Sequence, residues 1–391
     1  MEPYYTDSET TGATDGTKGN PFSAGNRVVL FGGWGSSIEI YSEVPANFEE
    51  IARNYLLVGF NIKFDLLHYS RSVRFHPVSI FDCQYAMYCI WRQAVAWISL
   101  DDALKYFGYP LKIDVVKTEY WEKGIDTDQV PYEILREYLE GDLIRTKQVY
   151  QAIMNYLQDK PDLLRLIMLG NEDIINTYYM ERAGLPYDAA TSVVEGNKLL
   201  KEIEEIDKRL DSYLSGVTTI NWNSGDNVSA VLFGGIVKER YRETYTQTLK
   251  SGQVKEKSRW AEREIQLPPL MKPLKGTEVA KGGYYSVSED NLIKALGRAT
   301  KSGKEIIELL LKRAKLETVV TKYYHGLPKL MEKMRWKDNI LHGQLNHAVT
   351  RTSRIASNTP NQQNIPEDLN LLIYSRYSNR KEDSRGRDLV L

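Results

Sequence analysis

The residues of this chain best equipped for chemistry are acidic, and they begin early. Asp7 and Glu9 stand two apart in TDSETTG, and at the end of a strand that spacing projects both carboxylates from one face. Asn61 and Asp65 lie four apart in GFNIKFDLLHY, just after an apolar run that reads as a buried strand, so a helix there would stack them on one side. Tyr138 and Asp142 repeat the spacing in YLEGD, inside a segment of clear helical period. Each pair is commonplace by itself; the three in this order are far more specific. Four carboxylates gathered into one pocket repel, and several would be driven protonated unless cations neutralised them. Two divalent ions remove that conflict. In two-metal phosphodiester cleavage one ion lowers the pKa of an attacking water while the other stabilises the leaving 3′ oxygen, and hard oxygen ligands suit Mg²⁺ or Mn²⁺ better than zinc. Tyr138, one turn before Asp142, would then orient the water or help deprotonate it.

The elements that must position these groups follow from periodicity. Residues 1 to about 115 alternate short β-rich runs, such as VVLFGGW and LLVGFN, with helical patterns, an α/β signature. After Pro131 the pattern turns helical, with Tyr132, Leu135, Tyr138, Leu139 and Asp142 at spacings of three and four, and Pro161 separates that helix from the next. Two long amphipathic helices are predicted further on, one through Leu199, Leu200, Ile203, Ile206 and Leu210, the other through EIIELLLKRAKLETVVTKYYHGLPKLMEKM. The connection between them, roughly 236 to 288, mixes Gly, Pro and Lys with little periodicity and reads as an extended surface segment.

At 391 residues, 42% hydrophobic and 26% charged, the chain is long enough for two or three packed units. It has no apolar run of signal-peptide or membrane-spanning type, so a soluble protein is expected, cytoplasmic or in the cytoplasm of a host cell if viral, with no membrane partner. Cys83 and Cys89 have neither the number nor the spacing of a disulfide scaffold or a zinc site and are expected to be buried small apolar residues. Residues 236 to 335 hold 22 Lys or Arg against 12 Asp or Glu, a net +10, so the remainder carries −11. A basic segment joined to an acidic one suits a protein that grips a polyanion with one part and holds divalent cations with the other.

DSET, N-x-x-F-D and Y-x-x-x-D, spanning residues 5 to 142, resemble the three exonuclease motifs of DEDD-type proofreading nucleases in the tyrosine subclass. The resemblance implies metal ligation by Asp7, Glu9, Asp65 and Asp142, a catalytic set completed by Tyr138, and two divalent ions, Mg²⁺ with Mn²⁺ as the alternative. It also implies an α/β RNase H-like sheet with helices on both faces. Asp82 in SIFDCQ is similar to a recurring Asp after the third core strand and is expected to be structural. A second resemblance is longer. HAVTRTSRIASNTPNQQNIP, residues 347 to 366, is similar to the T-x-T-G-R-L-S-S-x-x-P-N-L-Q-N-I-P signature of family A DNA polymerases, with Ser353 where that pattern has a Gly suited to an unusual φ. An Arg and several amides beside an extended run can read the minor-groove acceptors common to all base pairs, and the resemblance implies primer-template contacts from Arg354, Asn361, Gln363 and Asn364. MERAGLPYD resembles the entry into the polymerase domain, NWNSGDNVSAVLFGG a thumb element, and KPLKGTEVAKGGYYSVSED the thumb of phage members.

The implied organisation is an exonuclease domain over 1–160, a polymerase-domain entry and mostly α-helical thumb over 161–340, and the beginning of an α+β palm over 341–391. GRDLVL is similar to the strand that leads into the first palm motif, and no D-x-S-x-x-E or fingers motif occurs. The expectation is a 3′→5′ proofreading exonuclease acting on a single-stranded DNA 3′ end and binding primer-template DNA. It would not polymerise alone; it is expected to be either a portion of a longer polymerase or the N-terminal piece of a split enzyme completed by a C-terminal fragment carrying palm and fingers. The alternatives are a free-standing DEDD exonuclease on DNA or RNA and a structural subunit of a split polymerase.

Overall fold

The computed structural model describes residues 1–111, 114–214, 220–248, 254–366, 369, 372 and 373. A five-stranded sheet centres the first of two compact units, which comprises residues 1–191 and the described residues from 327 onward. Its strands and first helices are β1 (Pro3–Thr10), β2 (Val28–Trp34), β3 (Ile38–Tyr41), α1 (Phe48–Asn54), β4 (Leu56–Gly59), α2 (Ile62–Tyr69) and β5 (Ile80–Asp82). The order is β3-β2-β1-β4-β5, with β1 to β3 antiparallel and β4 and β5 parallel to β1. β1 occupies the centre and buries side chains of both faces, Tyr4, Tyr5, Thr6, Ser8 and Glu9 among them.

Helices then pack against the sheet. α3 (Cys83–Ile90) springs directly from β5, because the Asp82 carboxylate accepts from Gln84 N at 2.8 Å and Tyr85 N at 3.2 Å and so satisfies two donors of the first turn. Asp82 is thus a cap, in keeping with its expected structural role, and both cysteines are buried. α4 (Leu100–Phe107) opens on a capping box of Ser99 and Asp102, and α5 (Val115–Glu119) follows. α6 (Tyr132–Leu157) begins after Pro131 and buries Leu135, Leu139, Leu143, Thr146, Val149, Ile153 and Leu157, a stripe at spacings of three and four. α7 (Pro161–Ala183) starts on Pro161, whose missing N–H is not needed at a first helical position.

α6 lies hard against the sheet at one glycine. A Cβ on Gly32 would come within 2.8 Å of Leu143 Cδ1 and 3.1 Å of Leu139 Cγ. Gly32 faces Asp7 across the β1–β2 pair, and directly opposed residues share a face, so this contact sets α6 on the face from which Asp7 and Glu9 project.

After β6 (Leu185–Pro186) come α8 (Ala189–Asp211), α9 (Gly225–Phe233), β7 (Gly235–Thr248), β8 (Val254–Leu267), α10 (Glu289–Leu296) and α11 (Lys301–Val319). Residues 192–326 form the second unit, built on a core that includes Ile206, Leu210, Trp222, Leu232, Ile306 and Leu310. Arg313 is buried there with its charge met. It pairs with Asp207 through Nε at 2.5 Å and Nη2 at 3.2 Å, and donates to Asn223 Oδ1 at 2.6 Å. Two expectations change in this region. The connection read as extended and aperiodic contains a regular antiparallel hairpin of two 14-residue strands, β7 and β8. Its alternation is of charge and aromatic residues, which a hydrophobic pattern does not detect. The second long helix is also interrupted: α11 ends at Val319, residues 320–324 form a wider π-type turn, and α12 (Gly326–Lys333) restarts at a glycine with Pro328 in its first turn.

The chain then rejoins the first unit. β9 (Ile340–Leu341) pairs with β6, and β10 (Gln344–Asn346) with β11 (Ala356–Asn358). The compact units therefore divide the chain near 191 and 326, whereas the sequence points to 160 and 340. α7 belongs with the sheet because it packs on α2, α3 and β5. GRDLVL lies outside the described residues.

Gly32→Ala should push α6 away from β2 and destabilise the protein by about 1–3 kcal/mol, the usual range for overpacking, read as a lower urea midpoint at unchanged slope. An unchanged midpoint would mean that α6 has room to move.

Candidate active site

Three elements bring the acidic residues together. β1 supplies Asp7 and Glu9, α2 supplies Asp65 from its first turn, and α6 supplies Tyr138 and Asp142. α6 covers the Asp7 face of β1, whereas α2 covers the other. Tyr69 of α2 meets Thr6 at 2.9 Å, and Ser8 Oγ donates to Asp65 Oδ1 at 2.6 Å. The carboxylates thus approach one strand from both sides of the sheet. Asn61 departs from expectation: it precedes α2 in the left-handed region at φ 57° and does not stack on Asp65. Its backbone N–H donates instead to Asp82 Oδ1 at 3.1 Å.

The electrostatics record the convergence. The Asp7 carboxyl is held well above the ordinary carboxylate range, first by burial and then by repulsion from Asp65, Asp142 and Glu9. A hydrogen bond from Ser8 N at 3.0 Å pulls the other way. Burial pushes Asp65 up to about 7, opposed by the Ser8 hydroxyl. Asp142 is buried beside Arg145, whose Nη1 stands 3.4 Å from Oδ1. The Tyr138 phenol is driven far upward by burial, then by Asp142 and Glu9, and Trp121 packs edge-on against its ring at 6.1 Å. The donor set consists of oxygens, which suits a hard divalent ion. As the side chains stand, no three His, Cys, Asp or Glu among the described residues form a group able to hold a metal; Ser8 engages Asp65 and Arg145 engages Asp142.

Sequence reasoning missed Ser8, because alternation along β1 sends its side chain to the face opposite Asp7. It also missed Lys63, two residues before Asp65. The buried Lys63 ammonium meets Glu181 Oε1 of α7 at 2.7 Å, the Leu345 carbonyl of β10, and Thr177 Oγ1 at 3.4 Å. Glu181 Oε1 also accepts from Leu345 N at 2.6 Å. His347 Nε2 lies 2.8 Å from Thr177 Oγ1, and burial followed by the charge of Lys63 lowers its pKa to about 4. The helix that carries Asp65 is thereby tied to the strand that leads into residues 347 to 366.

Within that segment Arg354, Asn361, Gln363 and Asn364 are exposed. Asn361 Oδ1 accepts from Gln363 N at 3.1 Å, and Gln363 Nε2 donates to Ile355 O at 3.0 Å, so part of the amide set shapes its own loop. Ser353 sits at φ 56°, the left-handed region that favours glycine. Among the described residues no helix is long and apolar enough to cross a membrane.

Residues 262–386 match the family model of DNA polymerase family A. This part of the chain is similar to family A DNA polymerases. The match opens within β8 and includes the 347–366 segment; the acidic cluster lies outside it. Over 300 residues the chain is 23% identical to a DNA polymerase of Bacillus phage SP01, an alignment covering 74% of this chain and 31% of that protein. Its fold is similar to the POL domain of Pol1 from M. smegmatis, solved in complex with DNA primer-template and dNTP, with TM-score 0.63 and 14% identity over 95% of this chain and 55% of that one. The chain thus spans about a third of the phage polymerase and about half of the bacterial one.

His347 sets a pH dependence. Between pH 6.5 and 4 the unfolded chain carries a proton on this ring that the native chain does not, so stability falls as pH falls through that window. The wild type should lose about 2 kcal/mol more than His347→Gln across it, measured by urea unfolding at several pH values. Parallel curves for the two proteins would show that His347 is not held neutral.

Proposed function

We propose that the first unit is a metal-dependent 3′→5′ exonuclease of the DEDD type, tyrosine subclass, with an RNase H-like sheet, working within a family A DNA polymerase. The observation that carries this reading is the placement of Asp7 and Glu9 on β1, Asp65 on α2 and Asp142 on α6 around one strand, with Ser8 Oγ donating to Asp65 Oδ1 at 2.6 Å, and the raised Asp7 carboxyl agrees with it. The sheet order β3-β2-β1-β4-β5 supports it. Asp7, Glu9, Asp65 and Asp142 would hold two divalent ions, Mg²⁺ or Mn²⁺, which when bound supply an activated water and neutralise the leaving 3′ oxygen. The remaining work belongs to the chain. Tyr138, whose phenol lies beside Asp142 and Glu9, is assigned to orient the water or help deprotonate it. Ser8 fixes Asp65, and Trp121 backs the Tyr138 ring.

The substrate is the 3′ end of single-stranded DNA, and the exposed Arg354, Asn361, Gln363 and Asn364 are assigned to primer-template DNA. The phage DNA polymerase and the bacterial POL domain bound to primer-template support that assignment. A free-standing nuclease is disfavoured by the similarity of residues 262–386 to family A DNA polymerases. Nucleotide addition would need palm and fingers residues beyond these 391, in a longer chain or a complementary fragment, and the assigned location is the cytoplasm.

With Mg²⁺ the chain should shorten a 5′-labelled single-stranded oligonucleotide from its 3′ end, and chelator should stop it. Asp7→Ala/Glu9→Ala should reduce turnover at least about 1,000-fold, as expected when an ion is no longer held, while DNA binding survives. Full cleavage by that variant would end the assignment. Separately, Arg354→Ala should weaken primer-template binding about 5- to 10-fold, the effect of losing one charge-assisted contact, measured by fluorescence anisotropy; equal affinity would place Arg354 outside the DNA contact.

A further inference from the structure

The β7–β8 hairpin is an odd object for a folded protein. Val237 and Leu267 anchor its base in the core of the second unit, but from Arg240 and Glu262 outward no described residue of either strand is buried. An isolated pair of strands is marginal in water, and this one is held by side chains across the ladder. Lys238 pairs with Glu264 at 3.7 Å, Arg240 with Glu262 at 3.1 Å, Arg263 with Glu239 at 2.5 Å and Arg259 with Glu243 at 2.8 Å.

The register gives the two faces different chemistry. Glu239 faces Arg263, Glu243 faces Arg259, Tyr245 faces Lys257 and Gln247 faces Lys255, with Tyr241 between the first two pairs. On this face Arg263 lies over the Tyr241 ring at 5.5 Å and Arg259 over the Tyr245 ring at 5.3 Å, so guanidinium and phenol alternate along the ribbon. Four cations stand against two carboxylates here, and the arginines engage both carboxylates. Lys255 and Lys257, toward the outer end, enter no ion pair among the described residues. The opposite face carries Trp260 beneath Arg242, with the remaining cations mostly paired.

We propose that the tyrosine and arginine face of this hairpin binds a single-stranded polynucleotide, with bases against Tyr241 and Tyr245 and phosphates against Lys255 and Lys257. Alternating cations and aromatic rings recognise a strand without reading its sequence, since every base has a π-face and every nucleotide a charge. The surplus of cations argues for a polyanion. An apolar protein partner would need a buried anchor, and this face offers only the two half-covered phenols. The inference rests on the proposed nucleic-acid function but concerns a surface remote in sequence from Asp7, Glu9, Asp65 and Asp142.

The test uses the full chain and labelled oligothymidine, read by fluorescence anisotropy over a range of salt. Tyr241→Ala/Tyr245→Ala should weaken binding by about tenfold or more. Lys255→Glu/Lys257→Glu should flatten the salt dependence by about 0.7 of log K per log salt for each lost phosphate contact. Both variants should melt as the wild type does, because the sites lie outside the core. Unchanged affinity and slope in both variants overturn the inference. A loss seen only with duplex of the same length overturns the single-strand assignment, and an equal loss in Trp260→Ala overturns the choice of face. Asp7→Ala/Glu9→Ala serves as the separating control. If that variant still cleaves, the nuclease reading falls while the hairpin result stands.

Discussion

A lysine can stay in a protein interior only where its charge is met, and Lys63 is met from three directions. Its ammonium reaches Glu181 of α7, Thr177 one turn away and the Leu345 carbonyl, while Glu181 also takes the Leu345 N–H. Removing any partner would leave a buried charge short of its compensation, an effect far larger than the worth of the same pair at a surface. Because Lys63 sits two residues before Asp65, the requirement that fixes Lys63 also fixes the helix turn that presents Asp65. It equally fixes β10, and through β10 the start of the 347–366 segment.

The acidic cluster is a second constraint that works against the first. Burial raises the carboxyls of both Asp7 and Asp65, with repulsion from Asp65, Asp142 and Glu9 adding at Asp7 and repulsion from Asp82 at Asp65, so the fold spends stability to gather them. The sheet supplies the rigidity for this. β1 is paired on both edges and covered on both faces, with α6 pressed onto the sheet beside it at Gly32 of β2 and α2 hydrogen-bonded to it through Thr6 and Ser8. Sites whose parts repel are expected where binding of something charged relieves the strain.

Sequence made some of this plain and hid the rest for identifiable reasons. The α6 stripe, the break at Pro161 and the pairing of Asp7 with Glu9 on one face are local matters of period and punctuation, and they are found as expected. Lys63, Glu181 and Leu345 are far apart in the chain, and neither periodicity nor motif spacing can announce that they meet. The hairpin was obscured for another reason: its faces are polar on both sides, so no hydrophobic alternation marks the strands. Asn61 was misplaced because helical spacing does not reveal that α2 begins one residue later, after a left-handed turn. Ser353 was the converse case, since a serine in a glycine's place pointed to a backbone angle that it does adopt.

The discontinuity of the first unit has a consequence for how the protein comes to exist. Lys63 and Glu181 are made early, but Leu345 follows more than 160 residues after Glu181, and the whole second unit lies between. At roughly 5–20 residues per second a ribosome needs on the order of ten to thirty seconds to cover that distance. During that interval the nascent chain lacks the Leu345 carbonyl and N–H, so the strand that leads into residues 347 to 366 can dock only after the second unit has left the ribosome.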